Sequence, residues 1–152
     1  MTTAYDIPAE KLIASIAEEL KKNDTIKPPE WSNLVKTGIH REKAPGEPDW
    51  WYTRVAAILR KVYIYGPIGT EKLSAQFGGP VDKGSKPSHA WSGSRSIIRL
   101  SLQQLELSGL IQPYKKRGRV ISPQGQKLLD NASYAIFKEL AKEQPKLTKY
   151  GK

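Results

Sequence analysis

The chain is expected to fold as a mainly α winged helix-turn-helix: a small β-hairpin wing, an N-terminal helix with a long loop, and a C-terminal helix. Three observations predict this class. The stretch Asp49–Tyr65, DWWYTRVAAILRKVYIY, has the period of an amphipathic helix. A short helical segment and a longer one closed by Gly109 follow it. Two brief apolar runs then flank the turn Lys115-Lys116-Arg117-Gly118-Arg119, ahead of a last helix. In winged helices the third helix and the wing usually meet nucleic acid.

The central helix carries most of the information. Trp51, Val55, Ile58 and Val62 form one apolar stripe, widened by Leu59 and Tyr52. Trp50, Arg54, Ala57 and Lys61 recur at i, i+4, i+7 and i+11 on the other side, flanked by Arg60. A solvated face is the plain alternative for this second stripe. Two facts favour a binding surface instead: Trp is costly to expose, and no acidic residue occurs from Trp50 through Ile64. Asp49 is placed to cap the helix, and Gly66-Pro67 to end it.

Pro8 to Lys22 is a helix through Ile13, Ile16, Ala17 and Leu20. From Asn23 to Pro48 prolines and glycines break any long element, leaving a wrapping loop that Trp31, Leu34 and Val35 pin to the core through a short helical turn. Lys36, His40, Arg41 and Lys43 form its basic segment. Thr70 caps a short helix through Phe77, with Leu73 and Phe77 buried. Gly66 to Lys72 lacks the spacing of a phosphate-binding loop. Residues 80–94 read as a mobile basic loop carrying Lys83 and Lys86, with Trp91 its one apolar anchor.

Ser94 or Gly93 caps a helix to Ser108 with Ile98, Ser101, Leu102 and Leu105 on one side and Arg95, Arg99, Gln103 and Glu106 opposite. Leu100 and Leu107 fall on a third sector, which the N-terminal helix is expected to cover. Leu110 to Tyr114 and Val120-Ile121 are the wing strands. Ser122-Pro123 starts the closing helix, which runs to about Lys142 ahead of a polar, frayed tail.

Composition sets the function class. The 152 residues are read as one domain, with helix and loop in 1–48, the winged-helix core in 49–142 and a basic tail in 143–152. No cysteine is present, so disulfides and thiolate metal sites are excluded. The net charge of +10 is uneven. Residues 1–30 hold 4 basic and 6 acidic side chains, whereas residues 63–121 hold 9 and 3. Such an excess within folded segments points to a polyanion, nucleic acid first. With no signal peptide and no apolar run near 18 residues, a soluble protein with no membrane partner is expected. Two loop histidines and scattered carboxylates offer no nucleophile, metal cluster or acid–base pair, so no catalysis, cofactor, metal or small-molecule substrate is expected.

A family resemblance rests on Trp50, Tyr52-Thr53-Arg54 and Arg60 in the central helix, and on Gly78-Gly79. It continues through Pro87, His89, Ser92, Gly93, Arg99, Leu102-Gln103 and Leu105-Glu106. Gly118-Arg119, Ser122-Pro123-Gln124-Gly125-Gln126 and Leu129-Asp130 complete it. In this order, over about residues 30–135, the chain resembles the small-subunit ribosomal protein family numbered nineteen in the eukaryotic–archaeal series (S-nineteen-e), in an archaeal form. One departure is Arg99-Leu100, where eukaryotic members tend to carry paired arginines.

The resemblance implies a structural protein in the head of the small subunit of the cytoplasmic ribosome, touching small-subunit ribosomal RNA and neighbouring small-subunit proteins, and supporting subunit maturation. It also makes the outer stripe of the central helix the main contact surface, rather than the third helix alone. The candidate RNA contacts are then Lys36, Arg41 and Lys43 in the loop, and Trp50, Thr53, Arg54, Arg60 and Lys61 on the central helix. Lys83 and Lys86 join them, as do Arg95 and Arg99 on the third helix and Lys115, Lys116, Arg117, Gly118 and Arg119 in the wing. The alternative is a winged-helix DNA-binding transcriptional regulator, which Glu106, Leu100 and Leu107 make a poor reader of the major groove.

Overall fold

The computed structural model describes residues 2–150. Five helices and two hairpins follow one another: α1 (Ala9–Lys21), α2 (Trp50–Tyr65), α3 (Thr70–Gln76), β1 (Gly79–Val81), β2 (His89–Trp91), α4 (Arg95–Leu107), β3 (Ile111–Pro113), β4 (Arg119–Ile121) and α5 (Pro123–Glu143). A 3-10 turn over Glu30–Asn33 interrupts the wrapping loop, and another over Pro145–Tyr150 follows α5. The winged helix-turn-helix is therefore present, with α2, α3 and α4 as its three helices and β3–β4 as its wing.

Local chemistry explains most boundaries. Ser94 Oγ accepts from the Ile97 amide at 3.4 Å, and Ser122 Oγ accepts from the Gly125 amide at 3.1 Å, with Pro123 in the first turn of α5. Both caps satisfy an amide that the helix itself leaves unpaired. Gly66 ends α2 at φ +65°. Asp49 occupies the N-cap position of α2, but its carboxylate makes no capping bond; it pairs with Lys21 Nζ of α1 at 2.6 Å. Thr70 likewise is the first residue of α3, and Gly69 stands at its cap.

α2 is the spine. α1 and α5 pack along it on one side and α4 on the other, while α3 packs on α4. Trp51, Val55, Ile58, Leu59 and Val62 are fully enclosed, as the apolar stripe requires. Polar side chains lock the packing at three points. Trp51 Nε1 donates to Gln104 Oε1 (3.0 Å), and Gln104 Nε2 donates to the Lys27 carbonyl (2.7 Å), tying α4 to the wrapping loop. Tyr63 Oη donates to Asp130 Oδ1 (3.0 Å), joining α2 to α5. Burial, and then this bond to Asp130, push the Tyr63 phenol up to about 12.

The wing is braced from below. β3 and β4 pair antiparallel with Ile111 opposite Ile121 and Pro113 opposite Arg119. Ile68, between α2 and α3, exchanges two backbone bonds of 3.1 Å with Arg119. Gly118 turns the hairpin at φ +121°, and a Cβ there would come 2.5 Å from the Ile68 carbonyl oxygen. Both its conformation and its surroundings demand glycine.

Four further expectations are corrected. Residues 79–91 form a second antiparallel hairpin, β1–β2, and not an unstructured loop; Trp91 is 41% exposed on it and lies outside the core cluster, so it does not pin the segment to the core. In the wrapping loop Trp31 does reach the core, edge-on to Trp51 at 6.0 Å, but Leu34 is 84% exposed. α1 packs on α2 and α5, so it leaves Leu107 79% exposed, while Leu100 is half-buried against the core. The tail is not frayed through Tyr150, since it folds back on α5 as the 3-10 turn; Gly151 and Lys152 lie outside the described residues.

Candidate nucleic-acid interface

The outer face of α2 is roofed by the wrapping loop. The loop is fastened at its base by the Ser94 amide, which donates to the Thr37 carbonyl at 2.9 Å, and by a bridge between Gly38 and Gly93. Between loop and helix lies an open cleft of about 880 Å³. Arg41 and Lys43 line it from the loop; Trp50, Thr53, Arg54 and Ala57 line it from α2, and Phe77 closes its end. Five of the candidate residues thus share one concavity.

Their burial is unequal. Trp50 is only 6% exposed, packed edge-on against Trp51 at 5.5 Å. The outward Trp expected from the helix stripe is therefore a buried residue whose edge forms cleft wall. Arg54 is half-buried and lies over the Phe77 ring, its guanidinium carbon 4.6 Å from the centroid. Lys61, about two turns on, sits 5.4 Å from the same ring and 5.5 Å from that of Tyr65. Burial, and then neighbouring Arg41, lower the Arg54 pKa; burial, and then Arg60, lower that of Lys61. Arg54 stays charged regardless. Among the described residues no carboxylate pairs with either side chain. A partly desolvated cation without a counter-ion is costly, and the Phe77 ring offsets only part of that cost. The arrangement suits a phosphate. Arg60 is half-buried beside them, its Nε enclosed and without a hydrogen-bond partner.

His40 and Phe77 were not singled out as site residues from the sequence. The His40 ring is held between two glycines: a Cβ on Gly38 would come 2.7 Å from Nδ1, and one on Gly79 would come 3.0 Å from Cδ2. Its Nδ1 is enclosed and unpartnered. Burial, then Arg41 and Arg54, lower its pKa, so the ring is neutral at pH 7. The clue in the sequence was a histidine among loop glycines, but the glycines that hold it are 41 residues apart in the chain.

The other candidates stand elsewhere. Lys36 is exposed at the start of the loop's basic segment. Lys83 and Lys86 ride the β1–β2 hairpin, with Lys83 Nζ 4.6 Å from the Trp91 ring centre. Arg95 makes a loose 3.5 Å pair with Glu71, and Arg99 is exposed on α4. Lys115, Lys116 and Arg117 project from the wing tip, Lys115 beside the Tyr114 ring at 5.5 Å. Arg119 is already engaged: its Nε donates to Glu106 Oε2 at 2.8 Å. That pair and exposed Leu107 occupy the side that a groove-reading winged helix would insert into DNA. Among the described residues no cluster of His, Cys, Asp or Glu could hold a metal, and no helix is long and apolar enough to cross a membrane.

Fold and cleft together define a winged-helix protein with a roofed basic face on its first helix. Residues 3–139 match the family described as Ribosomal protein S19e. The chain is 49% identical over 150 residues to the small ribosomal subunit protein eS19 of Thermoplasma acidophilum, covering 99% of both chains. It is 44% identical over 152 residues to that of Aeropyrum pernix, again across 99% of both. Against the eS19A protein of Schizosaccharomyces pombe identity is 41% over 134 residues, 88% of this chain and 93% of the other. The chain belongs to the ribosomal protein S19e family.

Proposed function

We infer that this protein is a structural constituent of the small ribosomal subunit, working in the cytoplasm as part of the ribosome. The observation that carries this is full-length kinship to archaeal proteins bearing that name. The same kinship disfavours a DNA-binding regulator. Its partner is small-subunit ribosomal RNA, bound in the head region through the outer face of α2 and the cleft beside it. The support is physical: a net charge of +10, and in Arg54 and Lys61 two half-buried cations without carboxylate partners among the described residues. Exposed Leu107 and Leu34 are suited to neighbouring small-subunit proteins. Once seated, the protein supports subunit maturation.

Crosslinking in cells, followed by sequencing of the bound nucleic acid, tests this reading. Small-subunit rRNA should be recovered, and binding to it should fall with salt at a log–log slope of roughly −4 to −5, as expected for about six neutralised phosphates. A flat salt response, or tighter binding to a palindromic DNA duplex, would overturn it.

A further inference from the structure

We propose that the cleft between the wrapping loop and α2 takes in one unpaired RNA nucleotide, its base lifted out of the stack and its phosphate held by Arg54 and Arg41. The proposal rests on the ribosomal RNA reading above and adds a geometry to it: a pocket rather than a charged surface.

Shape argues first. A basic helix face that merely tracks a phosphate rail needs no roof, and here residues from Thr37 to Glu47 arch over α2 to leave about 880 Å³. That lies within the range of clefts that enclose a small ligand, and a base with its sugar and phosphate is of that kind. Chemistry argues second. The walls combine the edge of Trp50 and the Phe77 ring with Arg54 laid over that ring. Aromatic rings and arginine planes are the surfaces on which splayed bases stack.

Polarity argues third. Arg54 is half-buried with no carboxylate partner among the described residues. Two acids, Glu42 and Glu47, also line the cleft, yet both are exposed and neither pairs with Arg41, Lys43 or Arg54. The enclosed Nδ1 of His40 has no hydrogen-bond partner. Gly38 and Gly79 hold that ring in the wall. An imidazole in the wall beside Arg41 and Arg54 adds a polar group that a base edge can meet.

The test fills the cleft without touching a charge. Ala57 lines its floor and Thr53, which is exposed, its lip, so Ala57→Phe and Thr53→Phe are made separately. Each is measured for affinity to the crosslinked rRNA fragment and for melting temperature. The fragment also carries 2-aminopurine, scanned one position at a time through its unpaired nucleotides. A filled cleft should weaken binding tenfold or more and, because the nucleotide's phosphate no longer reaches Arg41 and Arg54, lower the salt slope by about one unit, with the melting temperature of Thr53→Phe unchanged. One 2-aminopurine position should change sharply in fluorescence with the natural protein and lose that change with Thr53→Phe. If Thr53→Phe binds within twofold of the natural protein, or no position responds, the pocket is wrong. Should Arg54→Ala still weaken binding in that case, the RNA reading survives alone. If the natural protein fails to bind the fragment at all, both fall.

Discussion

The Arg54 guanidinium lies 4.6 Å from the centre of the Phe77 ring, which joins the central helix to the end of α3. The partner is not Trp50, which lies one turn away along the helix and is itself buried. The ring fixes a cation at the cleft wall without neutralising it, so stability and binding can be separated at this residue.

Arg54→Ala removes that contact and one charge. A cation–ring contact contributes about 0.5–1 kcal/mol where exposed and about 2 where desolvated, and at half-buried Arg54 relief of the partly desolvated charge offsets some of that loss. In a chain of this size the melting temperature should then fall by only about 1–4 °C. RNA binding should weaken, with the salt slope reduced by about one unit. Ile58→Ala is the contrast. Ile58 is fully enclosed, and its truncation should cost about 2–5 kcal/mol, lowering incorporation into subunits by lowering the folded population. Thermal melts beside subunit incorporation distinguish them. An Arg54→Ala protein that melts as early as Ile58→Ala, or one that assembles normally, would remove Arg54 from the contact surface.

Gly118→Val tests the wing. At φ +121°, with the Ile68 carbonyl 2.5 Å from any added Cβ, valine should strain the turn by about 1–3 kcal/mol. The turn should open, displacing Lys115, Lys116 and Arg117 and weakening RNA binding. Denaturant unfolding gives the first quantity and filter binding the second. Lost stability with unchanged affinity would assign the wing a structural part only.

Glu106→Gln releases Arg119. Their 2.8 Å pair is partly exposed, so its loss should cost no more than about 1 kcal/mol. If the wing side meets RNA, the freed guanidinium and the lost carboxylate should tighten binding a few-fold and steepen the salt slope. Titration at three salt concentrations reads this directly; equal affinity would place Arg119 off the contact surface.

His40 makes stability pH-dependent on the acid side. Burial beside Arg41 and Arg54 lowers its folded pKa from an ordinary value of 6.5, so the folded chain resists the proton that the unfolded chain accepts. Above about pH 7 neither state is protonated and nothing is lost. As pH falls through 6.5 the unfolded state gains the proton first, and stability declines until the lower folded pKa is passed. Urea unfolding at pH 7.5 and 5.5 should show this loss, and His40→Asn should show less of it. Asp6, whose carboxyl is lowered from 3.8 chiefly by its bond from the Thr3 amide, adds its own loss only at lower pH. Equal losses in the two proteins would mean that the ring is solvated.

Much of this molecule was legible in the sequence because local rules govern it. The 3.6-residue period placed α2 with Val55, Ile58 and Val62 inward, Ser94 and Ser122 offered hydroxyl caps for two helix starts, and Gly118 marked a wing position at positive φ where a side chain would be strained. What neighbours do across space was decided only by the tertiary structure. A helical period states that Trp50 lies off the main stripe, but whether that sector meets water depends on a loop whose Pro- and Gly-broken residues carry no period; the loop folds over it, and Trp50 is buried. Asp49 could cap its own helix or reach Lys21 on another, and the proximity of α1 settled the choice. The strands Gly79–Val81 and His89–Trp91 bury no face, so no alternation announced them; backbone pairing alone makes that hairpin. The cleft has the same origin. Its charges were written in the sequence, while its roof is fastened where Gly38 and Gly93, 55 residues apart, pair by their backbones; a Cβ on Gly38 would come 3.1 Å from the Gly93 Cα, and one on Gly93 would come 2.8 Å from the Phe77 carbonyl oxygen.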